Sequence, residues 1–302
     1  MKKQQNYLPT VTSILGVLTV LIIGSIIFMA TRPHRTQPGM RSVADTVENI
    51  HYCNDKNPVR TLDFLRPKDT GAKALPLVVY IHGGGWRGGS QNGRLINNYG
   101  KQFLQKGIAV ATIGYRTNSS SPFPDQNQDI ACALEYLDDH ADTLHINPRK
   151  VVYFGDSAGG QLAAFAALNI PYAGRDYEAP VGVIDFYGVS DFSKIVDGAH
   201  PDLNARRYLG SRYNKLAREA SPTSYITKKA PRFLFVHGTR DTVVPISQSL
   251  LFYDQLTTTG IDAEYLAVDG AKHAFNGPEL PPETYKKITT IVSSFLKETI
   301  QK

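Results

Sequence analysis

Cysteine is nearly absent from this sequence of 302 residues: there are two, Cys53 and Cys132, and their spacing fits no zinc or redox motif. Cys132 sits in the apolar, helix-patterned stretch Ile130–Leu134, which predicts a buried free thiol, whereas an exported domain would permit one disulfide. No His-Glu-x-x-His and no close His/Asp cluster occurs, so the usual motifs of metal-assisted hydrolysis are missing. The net charge is +6, yet the basic residues are scattered and form no nucleic-acid signature. They read as a solvated basic surface, with no nucleic-acid partner. No internal repeat or low-complexity tract is present, which excludes solenoids and propellers.

Long hydrophobic runs are equally scarce. One stands out, residues 11–30, uncharged and long enough as a helix to cross about 30 Å of bilayer core. It follows a short basic segment, residues 1–10, with Lys2 and Lys3. A transmembrane signal anchor and a cleaved signal peptide are both open; bulky Phe28 before Ala30 makes a poor cleavage site. Lys2 and Lys3 favour an N-terminus inside and a body outside the cytoplasm, while Arg32, Arg35 and Arg41 oppose this. Residues 31–45 are polar with two prolines and are expected to be a linker, leaving 46–302 as the folded body.

What is present in that body is alternation. Short apolar runs at 59–65, 77–81, 108–113, 151–154, 181–186, 233–236 and 263–268 read as strands. Helical spacing at 129–139, 161–168, 246–256 and 283–296 separates several of them. The pattern predicts an α/β fold with a mostly parallel sheet and helices on both faces. In such sheets, functional residues gather beyond the carboxyl ends of the strands. Residues 191–225 break the rhythm and can form a partial cap there.

Two glycine motifs follow predicted strands. Gly155-Asp156-Ser157-Ala158-Gly159 lies between a strand and a helix, the setting that lifts a serine hydroxyl clear of a sharp turn. His82-Gly83-Gly84-Gly85-Trp86 follows the run 77–81 and supplies bare amides that can approach a negative oxygen. Two of these amides with that of Ala158 would form an oxyanion hole, each donor worth about 3–4 kcal/mol in the transition state. A phosphate-cradling loop is the rival, but the Lys-Ser/Thr ending of a Walker motif is missing. A serine nucleophile needs a base and an orienting acid, here in the order Ser, Asp/Glu, His. Asp241 and His273 each follow a predicted strand and fit these roles; Asp191 is the alternative acid.

These residues resemble a known group. His82-Gly-Gly-Gly-Trp86, Gly155-Asp-Ser-Ala-Gly-Gly160, His237-Gly-Thr-Arg-Asp241 with Val243-Val-Pro245, and His273-Ala-Phe275 are similar to the hormone-sensitive-lipase-like and feruloyl-esterase-like serine carboxylesterases. Phe123-Pro124 with Asp129, and Ala220-Ser-Pro222, add to the likeness, which runs from about Val47 to the C-terminus. It implies the α/β-hydrolase fold, Ser157 as nucleophile, Asp241 as acid and His273 as base. Gly84, Gly85 and Ala158 would hold the oxyanion, His82, Gly83 and Asp156 would support the loops, and no cofactor would be required. Lipase-like members place a helical cap before the first strand. Here that position holds only the apolar run and linker, so residues 191–225 must supply any cap. An open site for short acyl, sugar or aryl esters is expected. A serine peptidase or amidase with the same triad, and a membrane-anchored binding relative without activity, are the other readings.

Overall fold

The apolar runs that bracket the glycine motifs are inner strands of one eight-stranded sheet. The computed structural model describes residues 38–117, 121–168, 177–195, 202–275 and 280–301. The apolar run 11–30 and the basic segment 1–10 lie outside them. Among the described residues, no helix is long and apolar enough to cross a membrane.

The chain opens with a single helical turn, α1 (Pro38–Arg41), and an edge strand, β1 (Ala44–His51). The linker expected across 31–45 therefore ends earlier. Met40 is 1% exposed and packs into the core, and Ala44 pairs with Pro67, so residues 38–45 belong to the body. Next come β2 (Thr61–Pro67), β3 (Leu75–Ile81), α2 (Arg94–Gln105), β4 (Ala109–Ile113), α3 (Asp125–Asp139) and α4 (Ala141–Leu144). Then follow β5 (Ile146–Asp156), α5 (Ala158–Leu168) and β6 (Gly182–Phe186). Helices α6 (Asp202–Leu209) and α7 (Tyr213–Ala220) lie between β6 and β7 (Arg232–Gly238). Helix α8 (Ser247–Thr258), β8 (Ala263–Val268) and α9 (Pro282–Gln301) complete the chain.

Strand order is β1-β2-β4-β3-β5-β6-β7-β8, with β2 antiparallel to both neighbours and β3 to β8 mutually parallel. The alternation of side chains across the pleat divides the core into two layers. Leu77, Val79, Ile81, Tyr153, Phe233 and Phe235 meet α3, α5 and α8 on one face. Val78, Tyr80, Phe154, Leu234 and Val236 meet α2 and α9 on the other. Each large side chain removed from water contributes about 1.5–3 kcal/mol, and both faces are filled this way. Strand β3 has β4 on one side and β5 on the other, so the connections diverge there and open a crevice at the strand ends.

Cys53 and Cys132 form a disulfide with Cα atoms 5.9 Å apart, correcting the buried free thiol expected for Cys132. The helix period placed Cys132 on the inner face of α3. The segment after β1 brings Cys53 to the same spot, a juxtaposition that spacing along the chain cannot reveal.

Candidate active site

Four strand ends converge in the crevice. Strand β5 runs into Asp156 and turns at Ser157, whose φ of +52° is unusual for a residue with a Cβ. The turn is held because Ser157 N donates to the Phe186 carbonyl oxygen at 2.8 Å, tying it to the end of β6. Small residues are obligatory around it: a Cβ on Gly155 would run into the Gly159 carbonyl, and one on Gly159 into the carbonyl of Ile81. Helix α5 begins at Ala158 and is buried along almost its whole length, so its amide end points at the space above Ser157.

The loop after β8 carries His273 to the same place. His273 Nε2 lies 3.0 Å from Ser157 Oγ, and His273 Nδ1 lies 2.7 Å from Asp241 Oδ2. Asp241, just beyond β7, accepts from the amides of Val243 and Val244 through Oδ1 at 2.8 and 2.9 Å. Burial works to raise the Asp241 carboxyl. Hydrogen bonds from His237, His273 and the Val244 amide outweigh it and hold the group well below the usual carboxylate range. Asp191, the alternative acid, is elsewhere: its carboxylate caps a short helical turn by accepting from Ser193 N at 2.9 Å.

His237, which opens the motif ending in Asp241, faces Asp241 Oδ2 through Nε2 at 3.3 Å. The same nitrogen is 2.9 Å from the Val244 carbonyl oxygen, and Nδ1 is 2.7 Å from Ser249 Oγ. With Nε2 protonated and Nδ1 accepting from Ser249, every polar atom of this fully buried ring is used. Its signal in the sequence was position alone, four residues before Asp241.

The glycine loop after β3 forms the opposite wall. Gly84 has φ +128° and Gly85 φ +61°, and a Cβ on Gly84 would strike the Gly88 carbonyl. Gly83 N donates to Asp156 Oδ1 at 3.0 Å, so this amide is committed to holding the loop. Tyr80 Oη donates to the same oxygen at 2.8 Å. Burial still leaves the Asp156 carboxyl raised above its ordinary value despite these donors. His82 stacks on Tyr115 at 4.2 Å, and Tyr115 Oη donates to the His82 carbonyl oxygen at 2.6 Å. Neither Gly84 N nor Gly85 N donates to a backbone acceptor among the described residues.

The partial cap expected within 191–225 comprises α6, α7 and flanking short turns, with residues 196–201 outside the described set. Trp86 fastens it. Its ring stacks on Tyr208 of α6 at 4.6 Å, and its Nε1 donates to Gln161 Oε1 at 2.9 Å. A pocket of about 140 Å³ remains beside Ser157, walled by Gly85 and Trp86, by Asn204 and Ala205 of the cap, and by Val243 and Val244. Among the described residues, no charged side chain lines it.

Comparison with known proteins agrees with this architecture. Residues 62–256 match the BD-FAE family model. Esterase LipC of Mycobacterium tuberculosis is 29% identical over 268 residues, 81% of this chain and 64% of LipC. The probable carboxylic ester hydrolase LipM of the same organism is 28% identical over 223 residues, 67% of this chain and 49% of LipM. The chain thus spans about half of LipM and just under two thirds of LipC. Among solved structures, Thermogutta terrifontis esterase 2 in its apo form superposes with a TM-score of 0.72 at 26% identity, covering 88% of this chain and 97% of that one. The same enzyme phosphonylated by sarin gives 0.74 at 25% identity over the same shares. A truncated carbohydrate esterase from gut microbiota, 22% identical, shares the fold with a TM-score of 0.75 over 88% of this chain and 99% of its own.

Proposed function

This chain is an α/β-hydrolase that belongs to the BD-FAE family, and from that premise we propose that it hydrolyses carboxylic esters through an acyl-enzyme on Ser157. The observation that carries the reading is the unbroken line of contacts Ser157–His273–Asp241, at 3.0 and 2.7 Å. His273 Nε2 takes the proton from Ser157 Oγ as the oxygen attacks the ester carbonyl. The proton then passes to the leaving alcohol, and a water attacks the acyl-enzyme with His273 again as base. Asp241 fixes the Nδ1-protonated tautomer and stabilises the imidazolium formed at each stage. The amides of Gly84, Gly85 and Ala158 receive the oxyanion, while His82, Gly83 and Asp156 keep the loop in position. The pocket of about 140 Å³ suits a short acyl group, with the alcohol portion directed to solvent.

The reading extends to location. Residues 11–30 tether the body to a membrane, and the body faces the extracytoplasmic side. The Cys53–Cys132 disulfide supports this side, because disulfides persist in oxidising compartments. Protease treatment of intact cells checks it: loss of the full-length band is expected, and protection equal to that of a cytoplasmic marker would contradict it.

A fluorophosphonate probe with peptide mapping tests the chemistry. The adduct is expected on the peptide carrying Ser157 and absent from Ser157→Ala; labelling elsewhere, or none on folded protein, would refute the assignment.

A further inference from the structure

We propose that Arg87 and Arg207 form a cationic mouth over the pocket, selecting esters whose alcohol portion carries a negative charge. This rests on the ester-hydrolase reading and adds the substrate class to it.

The charge distribution is the first observation. Residues 202–220, which span α6 and α7, contain five basic side chains and two acidic ones, Asp202 and Glu219. Residues 82–98, which form the facing glycine loop and its exit, contain Arg87 and Arg94 and no acid. Both walls of the mouth therefore carry a net positive charge, although the described residues lining the pocket are uncharged. Asp241, the acid bonded to His273, is buried and fully engaged.

Placement is the second. The Trp86 and Tyr208 rings stack at 4.6 Å with planes 7° apart, and both are buried. Arg87 and Arg207 are their chain neighbours, and both are exposed. Gly85 and Asn204 line the pocket and touch, since a Cβ on Gly85 would lie 3.0 Å from Asn204 Nδ2. Arg207 is three residues past Asn204 and on the same exposed side of α6, less than one helical turn of about 5.4 Å from the pocket wall. That is within a Debye length of about 8 Å at physiological salt, where exposed charges still act on a ligand. Arg206 is set apart because its guanidinium lies over the Tyr213 ring at 5.0 Å.

The third is the division of the substrate. A pocket of about 140 Å³ accommodates a short acyl group and leaves the alcohol to cross the mouth. A carboxylate, sulfate or phosphate on that alcohol would meet the two arginines, whose planar donors suit such anions. Charge here raises encounter rate and capture more than turnover, so the effect belongs in kcat/KM.

The experiment compares 4-acetoxybenzoate with the neutral 4-acetoxybenzamide, using the full-length protein, Arg87→Ser, Arg207→Ser and the double variant. At low salt the wild type is expected to favour the anion by roughly tenfold in kcat/KM, and the preference should shrink as salt rises. Each single substitution should reduce the ratio and the double should bring it near unity, with hydrolysis of the neutral ester reporting that each variant is folded. An anion-to-neutral ratio near unity in the wild type would overturn the inference. So would a ratio that survives the double substitution. If folded wild-type protein hydrolyses neither ester, the hydrolase reading itself fails and this inference falls with it.

Discussion

His237 Nε2 stands 3.3 Å from Asp241 Oδ2 and 2.9 Å from the Val244 carbonyl oxygen, so the side chain that steadies the acid is fixed to the loop that the acid itself organises. Asp241 is thus held from two sides, by His237 beneath and His273 above. Replacing His237 with Phe leaves the carboxylate one donor short in a buried setting. Burial, which acts to raise this carboxyl, then loses its strongest opponent. The expected result is a fall in kcat of about tenfold or more with little change in KM, and loss of activity on the acid side at a higher pH than in wild type. A pH–rate profile for p-nitrophenyl acetate measures both. A profile displaced only in height would mean that His237 merely supports packing.

Gly159 leaves no room for a side chain, because a Cβ would meet the Ile81 carbonyl oxygen and the His82 backbone. Gly159→Ala must push α5 away from β3 and spoil the elbow. The expected cost is about 3 kcal/mol or more in stability, together with most of the activity. Denaturant unfolding with an activity assay checks this; a stable, active variant would show that the turn is looser than described.

Trp86 joins glycine loop to cap. Trp86→Phe keeps a ring against Tyr208 but removes the donor to buried Gln161 Oε1, at an expected cost of about 1–3 kcal/mol. The pocket wall should also loosen, raising the rate ratio of octanoate to acetate p-nitrophenyl esters. An unchanged ratio would separate the cap from acyl-length control.

The Cys53–Cys132 disulfide closes a separation of 79 residues. The double Cys→Ala variant is expected to lose about 2–4 kcal/mol relative to the oxidised protein, and reductant should lower the Tm of wild type but not of the variant. Equal Tm values with and without reductant in the wild type would contradict a formed bridge.

Asp185 is fully buried at the end of β6, and burial pushes its carboxyl up to about 7; its Oδ1 accepts from Gly188 N at 2.9 Å. A raised folded-state value means that the native state binds its proton more tightly than the unfolded chain. Its contribution is therefore complete below about pH 4 and is lost as pH climbs through about 7. Asp185→Asn should flatten the fall in Tm between pH 5 and pH 8. A variant that retains the wild-type slope would place the titration elsewhere.

The inner strands were legible because they are continuous apolar runs, and the elbow because glycine and serine mark a turn that few sequences permit. Ser157, Asp241 and His273 could be named from their positions after strands β5, β7 and β8. Strand β1 was hidden: as an edge strand it alternates buried and exposed residues, and much of its exposed side is polar. Helix α2 was hidden too. Its buried positions Leu95, Ile96, Tyr99, Gly100, Phe103 and Leu104 have helical spacing, but Asn97, Asn98 and Gly100 are poor helix formers that tertiary packing overrides. The part played by His237 and the meeting of Cys53 with Cys132 depend on contacts between distant segments, which no local pattern encodes.

The role of Ser157 is tested most directly by steady-state hydrolysis of p-nitrophenyl acetate and butyrate by the full-length protein beside Ser157→Ala. Short-ester turnover is expected in the wild type, with a loss of about 10⁴-fold or more in the variant. Turnover that survives the substitution, or a folded wild-type protein without turnover, would contradict Ser157 as the nucleophile of an ester hydrolase.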